Sequence, residues 1–194
     1  ESSDLYVVDT RNDRIDRLNG LYTQNASPFW SPASNILISQ ELGNYDQESG
    51  WRSENVTGIR VPGYDDQNTL YLPSLDSRGE IFLGWLNAQN FVSYSQTQVG
   101  PDTLKQVNVS SLTVKAILEG PFGSAGIDPQ SRTLAFTLSD ENAARHGLVG
   151  GVYLLESDDS AYRLLNNGEY QRLSWDPGGM FIAEGAQGLY AFTP

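Results

Sequence analysis

Apolar residues come in short runs along the whole chain, alternating with polar ones in places. NILIS (35–39), RTLAF (132–136), GVYLLE (151–156) and MFIAE (180–184) are examples, each set between clusters of Gly, Pro, Asn, Asp and Ser. A period of two, with β-branched and aromatic enrichment, predicts β-strands joined by turns. Helical periodicity is nearly absent. The one helix-compatible stretch is SDENAARHG (139–147), in which Ser139 or Asn142 can begin a turn.

The strands repeat as a set. FWSPASNILIS (29–39), SLDSRGEIFLG (74–84), GIDPQSRTLAFT (126–137) and SWDPGGMFIAE (174–184) share one order: an apolar anchor, then Ser or Asp, usually Pro, a polar turn and an alternating strand. The anchors are Trp30, Leu75, Ile127 and Trp175, at intervals of 45, 52 and 48 residues. Pro presets φ, Asp or Ser caps the turn and Gly accepts positive φ, so each copy reads as a hairpin of strands A and B. A second hairpin, C and D, lies between the copies. It is clearest in DLYVVD with RIDRLN (4–9, 14–19) and in GVYLLE with AYRLLN (151–156, 161–166). Weaker copies are GWRSEN with TGIRV (50–61) and LKQVNV with LTVKAIL (104–118), and GLYAFTP (188–194) starts a fifth.

Four short strands per unit of this length predict an all-β fold, a β-propeller of about four four-stranded blades, with residues 1–194 as a single propeller domain. A β-sandwich also has short strands, but it has no reason to repeat Trp-Ser/Asp-Pro at blade spacing. Both Tyr6 and Tyr190 fall in strand C, one more than a closed ring uses. The reading therefore leans to an arc of a larger ring. Trp30-Ser31-Pro32 and Trp175-Asp176-Pro177-Gly178-Gly179, followed by the x-L-Y-V-V-D and x-R-L patterns, resemble the TolB-like (WD-repeat-like) propeller repeat. Leu75-Asp76-Ser77 departs from it, lacking both Trp and Pro. The resemblance implies a rigid binding platform, of the kind found in periplasmic scaffolds, in gating propellers of prolyl-oligopeptidase-like enzymes and in secreted proteins. It implies no reaction.

Composition narrows the chemistry. The chain has no Cys, one His and a net charge of −12, with only Lys105 and Lys115 as lysines. Thiolate sites and multi-histidine metal sites are impossible. The negative balance opposes nucleic acid and anionic membrane surfaces, and no apolar run is long enough for a membrane-spanning helix. The chain starts at Glu1 without Met, as a processed chain or an excised domain would. Any Ser-His-Asp mechanism would have to use His146, a lone loop histidine, and Gly-x-Ser-x-Gly is missing. The expectation is no catalytic site, no metal and no cofactor. Of the acidic clusters, Asp65 and Asp66 with Asn68 are the only candidate for a calcium loop, and they do not match an EF-hand.

Strand direction places A–B and C–D turns on one face and B–C and D–A connections on the other. On the reading above the long connections, 40–49, 62–72, 85–103 and 139–150, share one face. They carry aromatic rings among acids, which suits a binding surface on a rigid scaffold. The expected binding residues are Tyr45, Tyr64, Asp65, Asp66, Trp85 and Tyr94, and the expected partner is a protein or peptide of basic character. The functional expectation is a non-enzymatic, extracytoplasmic binding scaffold. The alternatives are an accessory propeller of a larger hydrolase and a carbohydrate-binding propeller.

Overall fold

The computed structural model describes residues 5–17, 25–33, 35–47, 50–60, 69–70, 79–156 and 161–193. Five antiparallel sheets follow one another along the chain. An N-terminal pair is formed by β1 (Tyr6–Asp9) and β2 (Arg14–Arg17). The first blade holds β3 (Asn25–Trp30), β4 (Ile36–Asp46), β5 (Gly50–Arg60) and β6 (Thr69–Leu70). The second holds β7 (Glu80–Trp85), β8 (Asn90–Thr97), β9 (Gly100–Asn108) and β10 (Thr113–Pro121). The third holds β11 (Ala125–Ile127), β12 (Leu134–Leu138), β13 (Gly151–Leu155) and β14 (Arg163–Asn167). The last has three strands, β15 (Tyr170–Trp175), β16 (Phe181–Gly185) and β17 (Gly188–Phe192). Each sheet pairs its strands in chain order, which is the meander of a propeller blade.

The single short helix, α1 (Asp140–Ala144), lies where the sequence allows one. The Ser139 hydroxyl accepts from the Asn142 N–H at 3.2 Å as its N-cap. The Asp140 carboxylate accepts from the Gly150 N–H at 3.1 Å and closes the β12–β13 loop.

Alternate residues of one strand serve two blade interfaces. In β12, Leu134, Phe136 and Leu138 pack toward the second blade with Leu104 and Phe122, while Ala135 packs toward the last blade with Phe181 and Ala183. In β13, Tyr153 and Leu155 point one way and Val152 and Leu154 the other. A sheet covered on both faces needs a continuous apolar run rather than alternation, which is why LAFTL and GVYLL contain so few polar residues. Burying each such side chain contributes about 1.5–3 kcal/mol.

The structure corrects the strand assignment in the first two blades. Residues 40–49 are not a long connection: β4 continues to Asp46 and returns as β5, with Tyr45 paired to Trp51. GWRSEN and TGIRV together form the single strand β5. Residues 85–103 are not a loop either, because they contain β8 and the start of β9. The second-blade anchor is therefore Trp85. It ends the inner strand as Trp30, Ile127 and Trp175 do, and its cross-strand partner is Phe91, as theirs are Leu37, Leu134 and Phe181. Leu75 lies outside the described residues. The long β12–β13 connection, 139–150, is as expected.

Candidate functional site

After each inner strand the same turn closes. The residue following the anchor donates its N–H to a carbonyl on the returning strand: Ser31 to Ile36, Leu86 to Asn90, Asp128 to Thr133 and Asp176 to Met180, at 2.8–2.9 Å. Carboxylate or amide side chains fold these turns. Asp176 Oδ1 accepts from the Gly178 and Met180 N–H groups, both at 2.9 Å, and Asn87 Oδ1 accepts from Gln89 and Asn90. Asp128 accepts from the Gln130 and Ser131 N–H groups at 3.0 Å and from the Ser131 hydroxyl at 2.5 Å. Burial raises the Asp128 pKa, but these donors outweigh it and hold the carboxyl below the usual carboxylate value. Asp9 is held low in the same manner, first by the Asn12 side-chain amide and then by the Arg11 N–H. These acids are turn caps and are engaged as such. Two contacts tie neighbouring turns together: the Ser31 hydroxyl donates to Ala88 O at 2.8 Å, and Gln130 Nε2 donates to Pro177 O at 2.6 Å.

Of the expected binding residues, the structure describes Tyr45, Trp85 and Tyr94. Trp85 is only 3% exposed; its ring meets Phe82 and Phe91 edge-on, at centroid distances of 6.2 and 5.7 Å. It stands at the end of β7 nearest the tight A–B turns, opposite the end predicted for it. Tyr94 lies within β8, half-buried and edge-on to Phe122 at 5.6 Å, and desolvation raises its phenol pKa. Both rings serve blade packing, because the run read as a loop is strand. Tyr45 lies near the tip of the β4–β5 hairpin. Tyr64, Asp65 and Asp66 lie outside the described residues, as does Asn68. His146 is exposed in the turn after α1, its N–H donating to Ala143 O at 2.9 Å. Among the described residues no group of three or more His, Asp or Glu side chains is placed to hold a metal, and no helix is long and apolar enough to cross a membrane.

The surface that stands out was not singled out from the sequence. It lies where the N-terminal pair meets the first blade. Trp30 shares a face with Leu37, its cross-strand partner, and Leu37 is covered by Leu5 and Val7 of the N-terminal pair. Yet Trp30 remains 49% exposed. The opposite face of the pair sets Val8 against Ile15, exposed by 59% and 66%. The third blade shows what such positions look like when covered. DLYVVD aligns with GVYLLE, so Val8 corresponds to Leu155, which is 3% exposed within the core shared with the second blade. Ile15 corresponds to Tyr162, which packs edge-on against Phe136 and Tyr153.

A second buried group is polar. Lys105, fully buried, pairs with Glu80 at 3.2 Å, and Glu80 also accepts from the Ser93 hydroxyl. These side chains share the face of the second blade that carries Phe82 and Val107 toward the first. The hydroxyl of Ser95, on the same face, is buried without a hydrogen-bond partner among the described residues.

This architecture is that of a β-propeller, and comparison with solved structures agrees. The chain is similar to dipeptidyl peptidase 4 of Porphyromonas gingivalis at a TM-score of 0.65 and 12% identity, over 100% of this chain and 35% of that one. It is similar to an oligogalacturonate lyase solved with manganese at a TM-score of 0.55 and 11% identity, over 96% of this chain and 52% of that one. TolB of Acinetobacter baumannii matches at a TM-score of 0.49 and 13% identity, over 98% and 49%. The chain thus spans about a third to a half of the length of these proteins. No protein-family profile and no curated protein sequence matches it.

Proposed function

We propose that the chain is a non-enzymatic binding scaffold that engages a protein or peptide partner, outside the cytoplasm as the repeat resemblance implies. The half-exposed Trp30, in a position whose counterparts in the other blades are buried or partly buried, carries this reading. A large aromatic ring fixed by a rigid sheet offers contact area at little entropic cost. The net charge of −12 favours a basic partner through faster association, an advantage that falls with salt. The test is isothermal titration of the chain with extended basic, neutral and acidic peptides at low and high salt. Tighter binding of the basic set, weakened by salt, supports the reading. Turnover of ester, amide or glycoside substrates by the chain alone overturns it.

The similarity to a peptidase chain about three times as long favours a second reading, an accessory propeller of a larger hydrolase. A Gly-x-Ser-x-Gly segment encoded in the same open reading frame decides for it; a frame with nothing catalytic decides for the scaffold.

A further inference from the structure

We infer that the interface between the first two blades encloses an internal water-binding site, in which at least one water molecule bridges the Lys105 ammonium and the Ser95 hydroxyl. Three observations carry it. First, both groups are wholly buried and short of partners. Ser95 Oγ has no hydrogen-bond partner among the described residues. The Lys105 ammonium carries three donors and has among those residues only Glu80, at 3.2 Å. Second, the strand register brings the two groups together. β8 lies between β7 and β9, so Lys105, opposite Ser93, reaches across β8 to meet Glu80, which stands opposite Ser95. Ser93 and Ser95, two residues apart on β8, share the face that the lysine crosses. The ammonium therefore ends over β8, beside the Ser95 hydroxyl. Third, the side chains here are too small to fill the interface as its counterpart is filled. Counted from the anchor pairs Trp85–Phe91 and Ile127–Leu134, the matching positions of the third blade hold Phe136 for Ser93, Leu138 for Ser95 and Tyr153 for Lys105, all buried. Two serines in place of a phenyl ring and an isobutyl group free far more volume than the roughly 30 Å³ that one water takes in the liquid. A direct Lys105–Ser95 hydrogen bond would still leave an ammonium donor and the serine's own proton unplaced. A water with two to four polar partners satisfies both groups, whereas leaving either unpaired is costly.

The test uses the 194-residue chain. Oxygen-17 relaxation dispersion of the solvent detects internal waters by their long residence. Ser95→Val fills the site and removes its hydroxyl. This variant is expected to lose the contribution of at least one such water, while its far-UV circular dichroism stays that of the parent. Should Ser95→Val fail to fold, Ser95→Ala takes its place, with the same loss expected. An unchanged dispersion amplitude in a folded variant overturns the inference. A crystal structure of the parent chain supplies a second readout that no variant can spoil. It is expected to show a water peak within about 3.2 Å of both Lys105 Nζ and Ser95 Oγ. A direct bond between those two atoms with no such peak, or an interface closed over them by apolar side chains, overturns the inference.

Discussion

The side chain of Ile127 lies across Gly84, so close that a Cβ added to the glycine would stand 3.1 Å from Ile127 Cβ and 3.2 Å from its Cδ1. One blade further on, Trp175 fills the same place over Gly126. At these two positions adjacent inner strands approach as closely as a missing side chain allows, with Ile127 and Trp175 as the wedges between them. Gly84→Val is expected to destabilise the fold by about 1–3 kcal/mol through overpacking. Ile127→Ala in the same chain should recover part of the loss. Urea denaturation of the two single variants and the double variant measures the coupling.

Trp85 fills an interior position between the first two blades. Trp85→Ala is expected to cost about 3–5 kcal/mol and to lower the thermal midpoint sharply. Trp30→Ala should leave the midpoint nearly unchanged. If both variants melt like the parent chain, the packing described for Trp85 is wrong.

The buried Lys105–Glu80 pair predicts an asymmetry. Lys105→Met strands a carboxylate in the interface and is expected to cost about 3–5 kcal/mol. Adding Glu80→Gln removes that stranded charge while leaving Ser93 a hydrogen-bond partner, so the double variant should be more stable than Lys105→Met alone. Denaturant midpoints for the series test it, and a double variant less stable than the single one would refute it.

The lowered pKa of Asp128 gives stability a defined pH dependence. The folded state binds the proton less readily than the unfolded chain, so the ionised carboxylate stabilises the fold above the ordinary Asp value, about 3.9. That contribution is lost as pH falls through the lower folded value. Asp128→Asn should lower the midpoint at pH 7 and flatten its dependence between about pH 5 and pH 3. An equal loss of stability on acidification in both proteins would show that other groups carry the effect.

By itself the sequence determined the local structure: the strands of the third and last blades, the Asp-Pro turns at Asp128 and Asp176, the helical turn begun by Ser139, and the propeller repeat. These rest on interactions within a few residues, which short-range pattern and turn chemistry specify. Only the tertiary structure decided which strands share a blade. In the second blade a regular period of two is compatible with more than one register, so the repeat pointed to Leu75, and Trp85 took the anchor's place only once β7 was seen to pair with β8. Exposure was decided there as well. Trp30 and Trp85 end equivalent strands with apolar cross-strand partners, and nothing local distinguishes them. Trp85 is covered by Ile36, Ile38 and Val56 of the preceding blade, whereas the neighbours of the Trp30 strand among the described residues include Leu5 and Val7, which pack on Leu37 and leave Trp30 half-exposed. Burial depends on a neighbour distant in sequence, and so the exposed aromatic ring emerged at Trp30 rather than at Trp85.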